Sequence, residues 1–126
     1  MSEPHSNLLM SILLKPYNLR AADAFRLNMW SSLAVRNTVL NYAAKHEVFV
    51  KWPNDVLVNG QKIAGILVQN ILSNHLISSS VIGVGLNVNQ RIFEQPRAIS
   101  LSSILERRLR LEEVLESLLI NLEEVL

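Results

Sequence analysis

The sequence predicts an α+β domain whose mixed, largely antiparallel sheet carries its helices on one face. Three observations support this fold class. Several short apolar runs are joined by turn signals typical of hairpins, two longer stretches have helical periodicity, and 49% of the 126 residues are hydrophobic. A chain of this length and composition can bury a core and is not typical of a disordered protein. We therefore expect residues 1–126 to form one domain.

The first half of the chain predicts a strand, a long helix and a second strand. Residues 7–14 are a short apolar run, which favours a buried strand. Between residues 19 and 45 the apolar side chains recur at helical spacing, so we expect an amphipathic helix that is interrupted at most once. Residues 48–50 predict a strand, and the Pro-Asn-Asp sequence at residues 53–55 predicts a turn after it.

The second half predicts a hairpin-rich part of the sheet. The Asn59-Gly60 pair is a strong turn signal, and it lies between strands predicted at residues 56–58 and 62–69. A second turn leads into a last long strand within residues 75–89. Because hairpins join antiparallel strands, this part of the chain accounts for most of the predicted sheet.

The C-terminal part predicts two helices and differs in charge from the rest. Residues 103–108 favour a short helix, and the apolar spacing from Leu111 favours an amphipathic helix that runs to the last residue. All 12 basic residues lie in residues 1–110, whereas residues 111–126 contain five acidic residues and no basic one. A solvated helix face explains the acidic residues. The basic remainder would suit an anionic ligand such as a nucleotide.

Composition excludes several classes of function. The net charge of +1 argues against a non-specific nucleic-acid binder. The absence of cysteine excludes a disulfide framework, a thiolate metal site and a cysteine nucleophile, and it fits a reducing compartment. No apolar run approaches the length of a membrane span, so we expect a cytoplasmic protein without a membrane anchor.

Glycines are concentrated in the predicted strands. Gly60 belongs to a turn, but Gly65 and two later glycines fall inside strands, where glycine often marks the close approach of a ligand or another backbone. A β-bulge or a packed helix would also explain them. Alternation along residues 82–89 puts the aliphatic side chains on one face. The opposite face then carries only small or polar residues, namely Gly83, Gly85, Asn87 and Asn89.

The Lys-Trp-Pro-Asn-Asp sequence at residues 51–55 and the strand after it concentrate polar chemistry. Asn54 and Asp55 could hold Mg²⁺ through oxygen atoms, or they could merely cap a turn. Lys62, at the rim of an apolar strand, is either a surface residue or a cation directed at a carboxylate or phosphate. Strict alternation puts Lys62 and Gly65 on opposite faces unless a bulge intervenes.

Two segments, KWPNDVLVNGQKIAGILVQ at residues 51–69 and VIGVGLNVN at residues 81–89, resemble the catalytic domain of biotin protein ligases. Residues 2–16 are similar to the strand before the first long helix of that family. The resemblance implies a central mixed sheet and an enzyme that makes biotinyl-5′-adenylate from biotin and ATP with Mg²⁺. Such an enzyme releases pyrophosphate and then passes biotin to a lysine of a biotin carboxyl carrier protein.

The resemblance also implies which residues act on the phosphates. Lys62 matches the lysine that lies beside the biotin carboxylate and the α-phosphate, where its charge would stabilise the transition state. The phosphates and the metal would be held by Lys51, Asn54 and Asp55.

The remaining implied roles concern biotin and adenine. Gly65 would offer its backbone to biotin, and Gly83 and Gly85 would let the ligand lie flat on the sheet. Asn87 would hydrogen-bond the adenine, with Leu67 packed near it.

The sequence also departs from the family pattern. We do not find the Gly/Arg-rich loop that folds over biotin, the first strand, the small C-terminal domain or the DNA-binding domain of the repressor type. Gln69 stands where the family usually has Glu. We therefore expect a partial catalytic domain with a site that is incomplete alone. A non-catalytic biotin- or adenylate-binding subunit, completion by a partner segment and a lipoate ligase-like acyltransferase are alternatives. An exposed sheet edge would allow a homodimer.

Overall fold

The structure is a computed structural model that describes residues 6–125. Its strands and α-helices, in chain order, are β1 (Leu8–Leu14), α1 (Phe25–Tyr42), β2 (Val48–Lys51), β3 (Asp55–Val58), β4 (Gln61–Ser73), β5 (Leu76–Leu86), α2 (Leu101–Leu105) and α3 (Leu111–Glu124). A 3₁₀ turn at Ala21–Asp23 precedes α1, so the α-helix begins at Phe25 rather than near residue 19. Of the family-like segment at residues 2–16, residues 2–5 lie outside the described residues.

The five strands form one sheet in the order β1-β5-β4-β3-β2, and every neighbouring pair is antiparallel. Parallel pairing is limited, in the part of the chain that the structure describes, to an isolated bridge between Lys62 and Ala98. The predicted α+β class with a largely antiparallel sheet is confirmed. β4 runs to Ser73 rather than to residue 69, because the turn that ends it is formed by Asn74 and His75 in left-handed conformations.

One face of the sheet is covered by helices, as the sequence predicts. α1 packs against β2, β3 and β4, whereas α3 packs against α1 and β1. Aliphatic side chains from alternating strand positions are buried beneath them, and each contributes about 1.5–3 kcal/mol relative to exposure. They include Leu8, Val56, Val58, Ala64, Ile66, Ile82, Val84 and Leu86.

Polar contacts fix α3 against α1. The indole Nε1 of Trp30 donates to the carbonyl oxygen of Leu122 at 2.8 Å. The buried amide of Asn121 donates to the hydroxyl of Thr38 at 3.0 Å. At the end of α1, burial raises the pKa of the Tyr42 hydroxyl, and a neighbouring carboxylate on α3 acts in the same direction. These contacts hold the two helices in one layer.

The short helix α2 begins two residues earlier than the predicted span of residues 103–108. The hydroxyl of Ser100 accepts a hydrogen bond from the backbone N–H of Ser103 and caps the helix. Glu106 adopts a left-handed conformation, with φ of 55°, and ends it. No helix within residues 6–125 is both long enough and apolar enough to cross a membrane.

Candidate functional site

The second face of the sheet is open within the described residues and has a floor of glycine. β4 and β5 place Gly65 opposite Gly85, and Leu67 opposite Gly83. A β-carbon on Gly83 would come no closer than 3.9 Å to its surroundings, and one on Gly85 would lie 3.6 Å from the side chain of Leu9. Packing within the chain therefore does not require glycine at either position. The glycines leave the backbone of this face accessible to another molecule, which is a common reason for glycine inside a strand.

A β-bulge brings Lys62 onto this open face. Val56 pairs with Ala64, and the next residue of β3 pairs with Lys62, so Ile63 is an extra residue in β4. The Nζ atom of Lys62 lies 3.5 Å from the position that a β-carbon on Gly65 would occupy. Lys62 and Gly65 therefore share one face, which the sequence allowed only through a bulge.

The backbone of Lys62 is held by two hydrogen bonds to the segment at residues 97–99. Its N–H donates to the carbonyl oxygen of Arg97 at 2.7 Å, and its carbonyl oxygen accepts from the N–H of Ile99 at 3.0 Å. The Nζ atom forms an ion pair with Oδ1 of Asp55 at 3.3 Å. Because the Lys62 side chain is 46% exposed, this ion pair adds little to stability. The structure thus presents an anchored and accessible cation above the glycine floor.

The turn between β2 and β3 carries polar residues with different contacts. Lys51 and Asp55 lie directly opposite each other on β2 and β3, so their side chains share a face. Asn54 instead connects the turn to the helical layer, since its Oδ1 accepts from the amide of Asn28 at 3.1 Å. Its backbone carbonyl also accepts from the N–H of Ile66 at 2.7 Å. Asn54 therefore fixes the turn and also borders the open face, whereas Asp55 presents a charged group to that face.

The donor set for a metal ion at this place is small. Residues 6–125 contain no group of three His, Cys, Asp or Glu side chains placed to hold a metal. Asp55 contributes one carboxylate, which is 33% exposed. A single carboxylate is too few ligands for a free Mg²⁺ ion. It fits an Mg²⁺ ion that arrives with a nucleotide, whose phosphate oxygens and water would supply the other ligands.

Two recesses meet at the glycine floor. A groove of about 610 Å³ extends from it toward Asp55 and Leu67. A cavity of about 350 Å³ extends the other way, toward Asn87 and the loop at residues 90–98. Both recesses share four lining residues, namely Leu9, Lys62, Gly65 and Gly85. Lys62 therefore stands where two compartments meet, and each compartment is of a size suited to part of a small molecule.

The two asparagines after β5 are used differently. Asn87 lines the cavity, and its Nδ2 donates to the carbonyl oxygen of Ile99 at 3.1 Å. Asn89 is buried and forms two hydrogen bonds with the backbone of Leu109, each at 2.8 Å. The expectation that Asn89 shares the open face with the glycines is therefore wrong. β5 ends at Leu86, so strand alternation does not extend to residue 89.

Leu67 lies apart from Asn87. Its exposed side chain lines the groove, whereas Asn87 lines the cavity on the other side of Lys62. The expected placement of both residues beside one adenine stays a prediction; in the strand register Leu67 lies opposite Gly83.

The cavity includes residues that sequence reasoning did not single out, among them Asn7, Gln90, Phe93 and Gln95. Asn7 connects the start of β1 to the segment after β5. Its Nδ2 donates to Oε1 of Gln90 at 2.6 Å, and its Oδ1 accepts from the N–H of Val88 at 3.0 Å. These partners are about eighty residues away in the chain, so no local pattern indicates them. The isolated aromatic residue Phe93 in a polar loop was the one available signal.

Residues 1–87 match the family model described as "Biotin/lipoate A/B protein ligase family", and the chain belongs to this family. Its similarity to particular proteins is to biotin ligases. It is 33% identical over 90 residues to the bifunctional ligase/repressor BirA of Bacillus subtilis, covering 71% of this chain and 27% of that protein. It is 43% identical over 79 residues to the biotin--[acetyl-CoA-carboxylase] ligase of Mycobacterium tuberculosis, covering 57% of this chain and 28% of that protein.

The fold is shared with solved biotin protein ligases. The structure superposes on the apo biotin protein ligase of Aquifex aeolicus with a TM-score of 0.78 and 30% identity, over 95% of this chain and 52% of that one. The complex of the Aquifex aeolicus enzyme with biotin and ATP gives a TM-score of 0.77 at 28% identity, over 95% of this chain and 50% of that one. The chain thus spans about half of the solved relatives and less than a third of the Bacillus relative. The family and fold implied by the two sequence segments are confirmed.

Proposed function

We propose that residues 1–126 act as one unit that supplies part of the catalytic domain of a biotin protein ligase. The proposed reaction is the ATP-dependent activation of biotin to biotinyl-5′-AMP, followed by transfer of biotin to a lysine of a biotin carboxyl carrier protein. The observation that carries this proposal is the position of Lys62. Its ammonium group is anchored over a glycine floor, at the meeting point of two recesses on one face of the sheet.

The two recesses suggest how the substrates would be arranged. The groove over Gly65, Gly83 and Leu67 has an apolar wall and exposed backbone, which suits the flat ring system of biotin. The cavity beside Asn87 would take the adenine, whose edge needs hydrogen-bonding partners. We assign Leu67 to the biotin side on the basis of its place in the groove. The reacting carboxylate and α-phosphate would then meet beside Lys62.

In the first step, an oxygen of the biotin carboxylate would attack the α-phosphorus of ATP, and the bond to the pyrophosphate oxygen would break. Negative charge builds up on the equatorial oxygens of the phosphorus in the transition state. The Lys62 ammonium would stabilise that charge, a contact whose loss typically costs about 3 kcal/mol. The products are biotinyl-5′-AMP and pyrophosphate.

In the second step, the amine of the carrier lysine would attack the acyl carbon of biotinyl-5′-AMP. AMP leaves as the amide bond forms, and the amine loses a proton to solvent. The open face leaves the floor accessible to a protein substrate from the side opposite the helices. We include the carrier protein as a partner, and a cytoplasmic location, in this proposal.

Lys51, Asn54 and Asp55 would hold the phosphates and Mg²⁺. Lys51 and Asp55 share the open face, and Asn54 fixes the turn that orients both. When bound with ATP, Mg²⁺ would neutralise charge on the departing pyrophosphate. Asp55, which pairs with Lys62 in the structure, would be the carboxylate that holds the ion.

The open floor also supports a second candidate function. Within the described residues no element covers the glycines, so the chain would form an incomplete site that needs a partner segment or another subunit. A chain of this kind would bind biotin or its adenylate without turnover. Lipoate is a further candidate substrate, because the family model includes lipoate ligases.

Mass spectrometry of the purified chain with biotin and Mg-ATP would test the proposal directly. Formation of biotinyl-5′-AMP by the wild type, with a loss of 100-fold or more for Lys62→Ala, would support the proposal. Lys45→Ala removes an exposed lysine that lines neither recess, so it should retain full activity. Equal activity of Lys62→Ala and wild type would contradict the proposed role of Lys62.

Two further arms separate the alternatives. Lipoyl-AMP formed from lipoate, without any biotinyl-5′-AMP from biotin, would overturn the choice of substrate. Saturable binding of biotin by calorimetry, with no adenylate from either acid, would assign the chain to the binding class and reject independent catalysis.

A further inference from the structure

The loop at residues 90–98 contributes to two different recesses. Gln90 and Phe93 line the cavity of about 350 Å³ described above. Arg91 and Ile92 instead line a separate recess of about 240 Å³. The two recesses have no lining residue in common. The loop therefore forms a wall between the proposed ligand cavity and a second place that this cavity does not include.

Two arginines line the second recess, and no acidic side chain within residues 6–125 does. Arg91 comes from the loop, and Arg108 comes from the segment between α2 and α3. We call this place the arginine recess, and its lining residues are Asn89, Arg91, Ile92, Ser102 and Arg108. Because two like charges share a small space without a carboxylate, the arginine recess attracts anions.

The polar groups of the arginine recess differ in what they already bind. Nη2 of Arg91 donates to the carbonyl oxygen of Ser102 at 3.1 Å, which orients the guanidinium group. The side-chain amide of Asn89 is engaged with the backbone of Leu109. The Arg108 side chain has no hydrogen-bond or ion-pair partner in the part of the chain that the structure describes. The two guanidinium groups are therefore the donors that a ligand would meet.

The size of the arginine recess and the shape of its donors restrict the ligand. Its volume of about 240 Å³ is below the range of about 300–1,000 Å³ that is typical of sites for drug-sized ligands. A guanidinium group presents a planar fork of N–H donors that matches two oxygen atoms of a phosphate. Two forks from different segments need oxygen atoms in more than one plane. A tetrahedral phosphate has them, and a planar carboxylate does not.

We propose that the arginine recess binds a phosphate group, as inorganic phosphate or as pyrophosphate, between Arg91 and Arg108. The bound anion would tie the loop to the segment before α3, because each arginine belongs to one of the two. Other residues of the same loop line the cavity of about 350 Å³, so the anion would also fix one wall of that cavity. No residue of the arginine recess belongs to the glycine floor, and the inference does not depend on ligase activity.

Isothermal titration calorimetry with pyrophosphate, and separately with inorganic phosphate, tests the site. Every chain in the series, including the parent chain, carries Lys62→Ala, which removes the phosphate contact proposed at the glycine floor. Chloride keeps the ionic strength constant. We expect one pyrophosphate per chain, and we expect Arg108→Gln to lower the affinity by about tenfold or more. Arg91→Gln should have the same effect from the side of the loop.

The matched control is Arg110→Gln, which removes the same charge two residues away. Arg110 does not line the arginine recess, and its Nε atom lies 3.9 Å from Oε2 of Glu112. The affinity of this variant for pyrophosphate should stay within about twofold of the parent chain, because salt screens a distant charge. Circular dichroism would check that the variants fold, which we expect because Arg91 and Arg108 are both exposed.

Three outcomes would overturn the proposal. One is the absence of saturable binding of either anion. Another is an equal loss of affinity in Arg108→Gln and Arg110→Gln, which would indicate a general attraction to a basic segment. The third is unchanged affinity in both Arg108→Gln and Arg91→Gln, which would place the anion elsewhere.

Hydrogen exchange of the backbone amides tests the effect on the loop. Pyrophosphate should slow exchange in residues 90–98 of the parent chain. It should leave exchange in the Asn59-Gly60 turn unchanged, because this turn contributes no residue to the arginine recess. The slowing should disappear in Arg108→Gln. Saturable binding of pyrophosphate without slower exchange in the loop would reject the tie between the loop and the segment before α3.

Discussion

The two faces of the sheet are built from alternate residues of the same strands, yet they serve different purposes. In β5, Ile82, Val84 and Leu86 are buried under the helices, whereas Gly83 and Gly85 line the open face. The covered face has large aliphatic side chains that are buried under the helices. The open face has almost no side chains at its centre and a lysine fixed at its border. One face therefore carries stability, and the other carries an accessible surface for a ligand.

This separation has a consequence for mutations. Substitutions on the covered face should change the free energy of unfolding, because they remove packed groups. Substitutions on the open face should change ligand binding with little effect on stability, because few groups there touch the rest of the chain. Neighbouring residues in one strand can therefore be compared directly.

The largest expected effect on stability is that of Ile82→Ala. Ile82 is completely buried at the centre of the covered face, so the variant should lose about 2–5 kcal/mol in the free energy of unfolding. Urea denaturation, with the slope compared between variants, is the measurement. Val81→Ala is the matched control on the opposite face and should lose less than about 1 kcal/mol. Equal losses for the two variants would contradict the division between the faces.

An intermediate effect on the free energy of unfolding is expected at Asn89, which follows β5 and is buried in the interior. Asn89→Ala would leave the buried N–H and carbonyl of Leu109 without their partner, at a cost of about 2–3 kcal/mol. Asn87→Ala should cost less than about 1 kcal/mol and should instead weaken ATP binding, as measured by calorimetry. If Asn89→Ala weakened ATP binding at unchanged stability, its assignment to the interior would be wrong.

The smallest expected change in the free energy of unfolding is that of Gly85→Ala. Unlike the other variants, it should not be destabilised. A methyl group there meets only Leu9 at ordinary contact distance, and alanine is favoured over glycine in a strand. The free energy of unfolding should stay equal or rise by up to about 1 kcal/mol, while biotin binding falls at least tenfold because the floor is no longer flat.

The control for this variant is Gly60→Ala in the hairpin turn. Gly60 has a φ of 80°, and a β-carbon there would meet nothing within 4 Å, so alanine should lower stability through backbone strain alone and leave biotin binding unchanged. A Gly85→Ala variant that kept full biotin affinity would argue against contact between the ligand and the floor.

Sequence patterns predicted the structure correctly where a short stretch of residues favours a single local conformation. Strand alternation in residues 82–86 predicts the aliphatic residues inside and the glycines on the open face, and Asn59-Gly60 predicts a hairpin, as the structure has them. The sequence was less informative at ends of elements. Asn89 was assigned to the wrong environment because the end of β5 at Leu86 has no local signal, and α2 was displaced because Ser100 was not recognised as its cap.

The sequence by itself determined the fold class, the order of the main elements, the glycine-rich face and the family, because these depend on periodicity, turn chemistry and motif spacing. Only the tertiary structure decided that Lys62 lies on the same face as Gly65, since the bulge at Ile63 arises from pairing with β3. It also brought Asn7 beside Gln90 and left β1 at the edge of the sheet. Contacts between distant segments depend on how the whole sheet closes, and no short stretch of sequence specifies that arrangement.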